Sequence, residues 1–278
     1  MYEHPMSHIL SAILEEKRLE IKNATAHRPL AEMRDRALLG PPVRDFMGSL
    51  KASIARGKLA IIAEIKRASP SQGLLRREYL PDAIALDYER HGASCISVLT
   101  DAKFFQGLPA HLVQVRAATR LPILRKDFMI DPYQIYESRA LGADCVLLIV
   151  AALLPTQLAA LLDLSHTLGM NALVEVHTPH EIRIALDAGA NFVGINNRDL
   201  ASFSTDIETS IKLSPLVPSS CLVVTESGIK CAEDVGRLRE KGITAFLVGE
   251  AFMRQPSPGQ ALHALFSTPV SATSVQAF

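Results

Sequence analysis

The chain has 278 residues, of which 48% are hydrophobic, and its 29 basic residues balance 29 acidic ones. This length is enough for a large core in one or two domains, and an α/β barrel is a common single-domain solution at this size. The balanced charge argues against nucleic acid or an anionic membrane surface as the default partner, although it leaves room for a local basic pocket that binds a small phosphate.

The N-terminal sequence and the cysteines indicate a cytoplasmic protein. The first residues lack the basic start and apolar core of a secretory signal. No uncharged apolar stretch reaches about 18 residues, as a membrane-spanning helix requires. We expect the cysteines to be small core residues, because none belongs to a C-x-x-C pair that would predict a zinc or redox centre. They are Cys95, Cys145, Cys221 and Cys231.

In chain order, the first predicted elements are two helices. Residues 9–21, ILSAILEEKRLEI, carry apolar side chains at helical spacing and predict an amphipathic helix. Residues 42–50, PVRDFMGSL, predict a shorter one. Residues 1–50 are therefore expected to form a helical extension that precedes the main domain.

Four later segments repeat one pattern of a glycine, a short polar step and an apolar run. The segments are HGASCISVLT, LGADCVLLIV, AGANFVGINN and KGITAFLVGE. Their glycines recur about every 50 residues, at Gly92, Gly142, Gly189 and Gly242. Each glycine is predicted to cap the preceding helix, and each apolar run to form a strand buried on both faces.

Four further apolar runs alternate with these segments. They are LAIIAEI, LPILRKD, NALVEV and CLVVTE, and helical patterns separate the strands. Eight strands, each followed by a helix, predict an α/β fold in which residues 51–266 form a (β/α)8 TIM barrel, with a frayed tail at 267–278. An open doubly wound sheet is the alternative, but the chain has neither G-x-G-x-x-G nor a P-loop motif.

Polar side chains interrupt the apolar runs at the ends of six of the eight strands. Glu64 and Lys66 lie two residues apart on one strand, so they point to the same side and form a carboxylate–ammonium pair if that side is the barrel mouth. A single strand-end charge is more often solvated, but recurrence at successive ends favours one polar ring with both acid and base groups. The other candidates are Lys126, Glu175, Asn196, Arg198 and Glu226.

A phosphate site and an aromatic wall are also predicted. Gly228 and Gly249 follow the seventh and eighth strands, where backbone N–H groups bind phosphate in this architecture, and Ser69 adds a hydroxyl. The carboxylate of Glu250 would repel a phosphate at this site unless its side chain points away from the phosphate. Phe104, Phe105 and Phe128 are ordinary packing residues or, at a barrel mouth, the wall of a site for an aryl substrate.

Seven motifs occur in order, each at a different strand end. They are AEIKRASPSQG, LTDAKFFQG, LRKDFMIDPYQIYESRALGAD, LVEVHT, GINNRDL, ESGI and LVGEAFMR. Together they closely resemble the indole-3-glycerol phosphate synthase family of tryptophan biosynthesis, over nearly the whole chain. The N-terminal helix resembles the segment that caps the barrel mouth in this family.

The resemblance implies a carboxy-lyase that uses no metal or organic cofactor. Its substrate would be 1-(2-carboxyphenylamino)-1-deoxyribulose 5-phosphate. The enzyme would close a ring onto the sugar carbonyl and lose CO2 and then water, which gives indole-3-glycerol phosphate. This small phosphorylated molecule is the expected partner of a monofunctional, monomeric enzyme that binds neither nucleic acid nor membrane.

Motif matching also implies roles for single residues. Lys126 would be the general acid of ring closure. Lys66 would hold the substrate carboxylate and also donate a proton in dehydration, with Glu175 as a base or electrostatic partner. Which lysine and which carboxylate serve dehydration stays open. The remaining implied site residues are Glu64 and Asn196 for positioning, Ser227 near the ring, and Ser69, Gly228 and Gly249 for phosphate.

Other functions compete with this one. A Schiff-base aldolase or a phosphoribosyl isomerase would also bind a sugar phosphate, and Lys126 would be the imine lysine of an aldolase. A non-catalytic ligand-binding barrel is disfavoured by the full set of ionisable strand ends. A redox enzyme is disfavoured because no nucleotide-binding motif occurs.

Overall fold

A computed structural model describes residues 8–199 and 203–267. Its centre is a closed barrel of eight parallel strands, in which β1 (Ala60–Ile65) pairs with both β2 (Cys95–Leu99) and β8 (Ala245–Val248). Between them lie β3 (Ile123–Lys126), β4 (Cys145–Ile149), β5 (Asn171–Val176), β6 (Phe192–Asn196) and β7 (Leu222–Glu226). The predicted TIM barrel with an N-terminal helical extension is therefore confirmed.

Helices surround the barrel, and local sequence sets their ends. Three precede β1: α1 (His8–His27), α2 (Leu30–Leu38) and α3 (Phe46–Ala55). The rest are α4 (Pro81–Arg90), α5 (Pro109–Ala118), α6 (Pro132–Leu141), α7 (Pro155–Thr167), α8 (Pro179–Asp187), α9 (Glu208–Leu213), α10 (Ala232–Glu240), α11 (Glu250–Met253) and α12 (Pro258–Ser267). Proline opens α4 to α8, where its missing N–H costs no hydrogen bond. The four predicted capping glycines have φ between 79° and 92°, so they end their helices as expected.

Strand β1 is apolar except for Glu64 near its carboxyl end, because both of its faces are buried. Ile61, Ala63 and Ile65 belong to the core between the barrel and its helices, whereas Ala60 and Ile62 belong to the core inside the barrel. Both faces are therefore dry, and alternation of polar and apolar residues would bury unpaired groups. Polar side chains enter the interior at the carboxyl ends of the strands.

The helices of the N-terminal segment lie at different places on the barrel. The side chains of Phe46 and Leu50, on α3, pack inside the lower end of the barrel, where the strands begin. Helix α2 packs on α6, whereas α1 reaches the cavity at the upper end. Helix α3 spans the predicted boundary between residues 50 and 51, and the domain division stays a prediction.

Three other expectations concern the cysteines, the C-terminal tail and membrane-spanning helices. Cys95 and Cys145 are buried, but Cys231 is exposed because it lies just before α10 at the surface; its assignment to the core was wrong. The predicted frayed tail lies outside the described residues, apart from Ser267 at the end of α12. Within residues 8–199 and 203–267, no helix combines the length and apolarity that a membrane crossing needs.

Helix α3 is expected to contribute to stability by filling the lower end of the barrel. Phe46 is fully buried and its ring centre lies 6.1 Å from that of Phe192. Phe46→Ala should lower the free energy of unfolding by about 3–5 kcal/mol in urea denaturation, because it removes apolar contacts and leaves a cavity. Leu39→Ala, at a site that is 86% exposed in the same segment, should change it by less than about 0.5 kcal/mol. Equal effects of the two substitutions would contradict this packing role.

Candidate active site

The site is centred on Lys126, at the carboxyl end of β3. Its Nζ atom lies 3.6 Å from Glu226 Oε2, 3.7 Å from Glu175 Oε2 and 4.0 Å from Glu64 Oε2. These carboxylates come from the ends of β7, β5 and β1, which meet at the barrel mouth because all strands are parallel. The structure thus brings these four strand-end residues into one cluster.

Lys66 forms a second ion pair within the cluster. Its Nζ atom lies 2.6 Å from Glu64 Oε1, and the Glu64 side chain is almost fully buried. Burial alone would raise the pKa of Glu64, but the ammonium groups of Lys66 and Lys126 outweigh burial and hold that pKa below its ordinary value. Glu64 is therefore an ionised carboxylate that bridges the two lysines.

Lys126 is held as an ammonium ion. Burial would lower its pKa, yet Glu226, Glu175 and Glu64 surround it and raise that pKa above the ordinary lysine value. A fixed positive charge in a dry cavity is suited to stabilising negative charge that develops on a substrate oxygen.

Glu226 has the opposite character. It is 1% exposed, and neither carboxyl oxygen has a hydrogen-bond partner among the described residues. Burial and the neighbouring Glu175 raise the pKa of Glu226 to about 8, against the pull of Lys126. At neutral pH Glu226 is therefore a neutral acid, and the cluster contains both a proton donor and an ionised carboxylate, Glu64.

Two glycines make room for the buried carboxylates. A Cβ atom at Gly194 would overlap Oε1 of Glu226, and one at Gly249 would lie 2.6 Å from Oε1 of Glu64. Neither glycine has a positive φ, so the feature that excludes a side chain at these positions is the nearby carboxyl group and not a left-handed backbone. Gly249 was predicted from its place after β8 as a phosphate ligand, and the structure gives it this second reason to lack a side chain.

The predicted phosphate residues meet at one side of the cavity. Ser69 Oγ is buried without a hydrogen-bond partner among the described residues, and Gly228 follows Ser227, which has a strained φ of 63°. Arg198 donates to Ser71 Oγ at 3.2 Å and to Glu250 Oε2 at 3.1 Å. The carboxylate of Glu250 is thus paired with a guanidinium group, which removes the expected conflict with an anion.

Asn196, at the end of β6, also lines the cavity. Its Oδ1 atom accepts a hydrogen bond from the backbone N–H of Arg198 at 3.0 Å. His177, on the other hand, lies 3.8 Å from Glu175 Oε1 and 3.5 Å from Glu181 Oε2. It therefore contacts Glu175, which belongs to the cluster, and Glu181.

The apolar side of the cavity has two parts. The first, which we name the aromatic wall, consists of Phe105 and Phe128, whose ring centres are 6.0 Å apart. Phe104 was a candidate for this wall but does not line the cavity; its ring faces Lys103, whose Nζ atom is 5.8 Å from the ring centre. The second part, which we name the roof, consists of Ile9, Leu10 and Ile13 of α1.

The roof and the buried Lys17 were not identified among the site residues from the sequence. Lys17 lies four residues after Ile13 and eight after Ile9, so it falls on the apolar face of α1, where its charge is out of place. A lysine within the apolar face of a helix indicates a buried charge that needs an acidic partner, and this signal is present in the sequence. Its partners, Asp101 and Asp127, lie far away in the sequence and were not predicted as such.

Comparison with known proteins adds an independent result. A family model described as "Indole-3-glycerol phosphate synthase" matches residues 10–265. A protein of that name from Aromatoleum aromaticum is 52% identical over 266 residues, which cover 94% of this chain and 100% of the relative. One from Polaromonas sp. is 52% identical over 261 residues, covering 94% and 99%.

Solved structures support the fold alone. Thiamine phosphate pyrophosphorylase from Pyrococcus furiosus superimposes with a TM-score of 0.57 at 18% identity, and covers 76% of this chain and 95% of its own. Tryptophan synthase subunit alpha from Legionella pneumophila gives 0.58 at 14% identity, with 80% and 95% covered.

The state of Glu226 predicts a pH dependence of stability. The folded protein holds a proton on Glu226 that the unfolded chain, with an ordinary pKa of 4.5, releases. This contribution to stability is complete below pH 4.5 and is lost as pH rises to about 8. Glu226→Gln should therefore gain stability relative to the parent protein between pH 5 and 8, by at most about 1.4 kcal/mol per pH unit in urea denaturation.

The control for this experiment is Asp127→Asn. The pKa of Asp127 lies below its ordinary value, since Arg125 and Lys17 outweigh the effect of burial, so its carboxylate stays ionised across the same range. The stability difference between this variant and the parent should not change with pH. A Glu226→Gln difference that is equally constant would show that Glu226 is ionised in the folded protein.

The fit of Gly194 against Glu226 predicts an energetic coupling. Gly194→Ala should destabilise the protein by about 1–3 kcal/mol, because the new methyl group displaces a buried carboxyl group. In a Glu226→Ala background the same substitution should cost less than half as much. Gly189→Ala is the control: no atom lies within 4 Å of its Cβ position, and its φ of +92° makes the cost a backbone effect. That cost should be equal in both backgrounds, and equal behaviour of Gly194→Ala would disprove the coupling.

Proposed function

This chain belongs to the indole-3-glycerol phosphate synthase family, and we propose that Lys126 starts its reaction by protonating the substrate carbonyl. The enzyme is a carboxy-lyase of tryptophan biosynthesis. It converts 1-(2-carboxyphenylamino)-1-deoxyribulose 5-phosphate into indole-3-glycerol phosphate, CO2 and water. The observation that carries the assignment of the acid is the position of Lys126, charged and central among the carboxylates of three strands.

The two sides of the cavity orient the substrate. We propose that its phosphate binds at Ser69, Gly228 and Gly249, where the buried hydroxyl of Ser69 has no hydrogen-bond partner in the described part of the chain. Arg198 adds a positive charge on the same side. The aryl ring then lies between the aromatic wall and the roof. The two residues of the aromatic wall follow β2 and β3, whereas the phosphate residues follow β1, β7 and β8, which are neighbours in the barrel. This orientation brings the sugar carbonyl towards Lys126.

Ring closure needs a strongly activated carbonyl, because attack by an aromatic carbon destroys aromaticity. As the new carbon–carbon bond forms, the electron pair of the carbonyl moves to oxygen, and Lys126 donates its proton there. A lysine with a raised pKa is a weaker acid and donates its proton less readily. The neutral state of Glu226 lessens that difficulty, since a third carboxylate at full charge would hold the proton on Lys126 more strongly.

In the decarboxylation step, Lys66 binds the carboxylate that leaves. Its ammonium group holds the substrate carboxylate until the bond to the ring carbon breaks, and the electron pair of that bond restores the aromatic ring. Phe105 and Phe128 contribute by excluding water, which weakens the solvation of the leaving carboxylate.

Dehydration requires an acid for the departing hydroxyl and a base for the adjoining C–H. We assign Lys66 as the acid and Glu175 as the base or electrostatic partner. Glu64 positions both lysines, since it contacts each of them, and Asn196 positions the substrate hydroxyls. Ser227 lines the cavity, and its expected place near the ring stays a prediction.

A Schiff-base aldolase is the competing use of the same lysine. An imine lysine must lose its proton to attack a carbonyl, so its pKa has to be lowered. The surrounding carboxylates raise the pKa of Lys126 instead. The electrostatics of the site thus favour proton donation over imine formation.

We also propose a cytoplasmic location and action as a monomer. All four cysteines lie in the described part of the chain and are free thiols, as expected in a reducing compartment. Lys66, Lys126 and the three carboxyl groups around them contact one another within the chain, so this proposed cluster does not require a residue from a second copy.

The test is the appearance of indole fluorescence when the purified protein meets its substrate. The sequence contains no tryptophan, so the indole signal of the product has no tryptophan background. Lys126→Ala should lower turnover by about a hundredfold or more, the contribution expected of a general acid. Lys51→Ala, at an exposed lysine of α3, is the matched control and should turn over like the parent. Turnover that survives Lys126→Ala would move the acid to Lys66, whereas borohydride trapping of a covalent adduct would support an aldolase.

A further inference from the structure

Lys17, on α1, is a buried cation for which the reaction above has no use. Only 1% of its surface is exposed, and its Nζ atom lies 2.8 Å from Asp101 Oδ2 and 3.0 Å from Asp127 Oδ1. Glu20, one turn further along α1, lies 2.7 Å from the same atom. We propose that Lys17 is a positioning residue that fixes the roof against the aromatic wall, and so sets the affinity for the aryl part of the substrate. This inference rests on the proposed function for the identity of the ligand.

Each of the two aspartates holds a residue of the aromatic wall. Oδ1 of Asp101 accepts hydrogen bonds from the backbone N–H groups of Phe104 and Phe105, at 2.8 Å and 3.2 Å. Oδ1 of Asp127 accepts one from the backbone N–H of Phe128 at 2.8 Å. Lys17 therefore contacts the two carboxylates that orient the loops of Phe105 and Phe128.

The same lysine fixes the roof from the other side. Ile13 precedes it by about one helical turn and Ile9 by about two, so all three side chains lie on one face of α1. With a rise of 1.5 Å per residue, Ile13 and Ile9 lie about 6 Å and 12 Å from Lys17 along the helix axis. Fixing α1 at Lys17 thus fixes the height and rotation of the roof above the cavity.

An ion pair gives what apolar packing alone does not. The hydrophobic effect is non-directional, so burial of isoleucine and leucine side chains favours contact without specifying one position of the helix. The ammonium group must remain between Asp101 and Asp127, because either carboxylate left unpaired in a buried site is strongly destabilising. Asp127 also contacts Arg125, at 3.5 Å, whereas Lys17 is the cation that the described residues place within 4 Å of Asp101.

The chain contains a matched control for this anchor. Lys103 pairs with Glu16 at 2.5 Å and links the same helix to the same loop after β2, but 58% of the Lys103 side chain is exposed. An exposed ion pair of this kind contributes little, since water screens it. Lys103→Met removes a lysine from that link without uncovering a buried carboxylate.

The experiment compares Lys17→Met with Lys103→Met in the full chain. Lys17→Met should raise KM by about tenfold or more and change kcat by less than about threefold, because the proton donor is untouched while the aryl site loses its fixed geometry. The inhibition constant of inorganic phosphate should not change, since the phosphate residues lie on the other side of the cavity. Lys103→Met should match the parent protein in all three constants.

Amide hydrogen exchange without substrate gives a second readout. Exchange should become faster in α1 and in residues 101–107 of Lys17→Met, with the barrel strands unchanged. This arm does not depend on the identity of the substrate, so it tests the anchor even if the parent protein shows no turnover, a result that would refute the proposed function instead. Slower or unchanged exchange would overturn the anchor.

If Lys17→Met does not fold, Asp101→Asn replaces it. Asparagine keeps an oxygen for the N–H groups of Phe104 and Phe105 and weakens the attraction to Lys17, so KM should rise by a smaller factor with kcat retained. A parental KM in the folded variant overturns the inference. So does a loss of kcat at constant KM, which would place Lys17 in the chemistry, or an equal rise in the phosphate constant.

Discussion

The site depends on two largely enclosed ammonium groups, Lys66 and Lys126, that lie among three buried carboxyl groups at the upper end of the barrel. Charge cannot be placed in such a dry environment unless opposite charge lies within a few ångströms. Glu64 meets this condition for both lysines, at 2.6 Å and 4.0 Å. Because the cluster has one carboxyl group more than it has lysines, the most buried of them, Glu226, is relieved by holding a proton. The excess of one carboxyl group over the two lysines therefore gives the cluster both a protonated acid, Glu226, and an ionised carboxylate, Glu64.

The rest of the barrel keeps this cluster dry. Among the described residues, the interior below it is filled by apolar side chains, including Phe46 of α3 and Phe192, so apolar packing separates the lysines from the lower end. Above it, α1 supplies the roof. The two helices of the N-terminal segment thus act at opposite ends of one cavity, and both act by excluding solvent, which strengthens every electrostatic interaction between them.

Small residues have a specific part in this arrangement. Gly194 and Gly249 face Glu226 and Glu64, and a side chain at either would move a carboxylate that a lysine needs. These glycines leave space for buried carboxyl groups, whereas the capping glycines have the positive φ that the end of a helix requires. The same residue type thus serves two different physical needs within one fold.

Sequence periodicity determined the barrel, because eight double-faced apolar runs and their capping glycines are local features that each segment carries alone. It also determined which strands end in ionisable groups. Parallel strands bring those ends together in any closed barrel, so Glu64, Lys66, Lys126, Glu175 and Glu226 were identified before their distances were known.

The tertiary structure alone decided what lies between distant segments. It separated Phe105 from Phe104, placed α3 and α1 at opposite ends, and paired Lys17 with aspartates more than 80 residues away. It also set which carboxyl group is neutral, because a pKa depends on burial and on the distances to all neighbouring charges. A local sequence pattern contains neither quantity, since both are properties of the packed molecule.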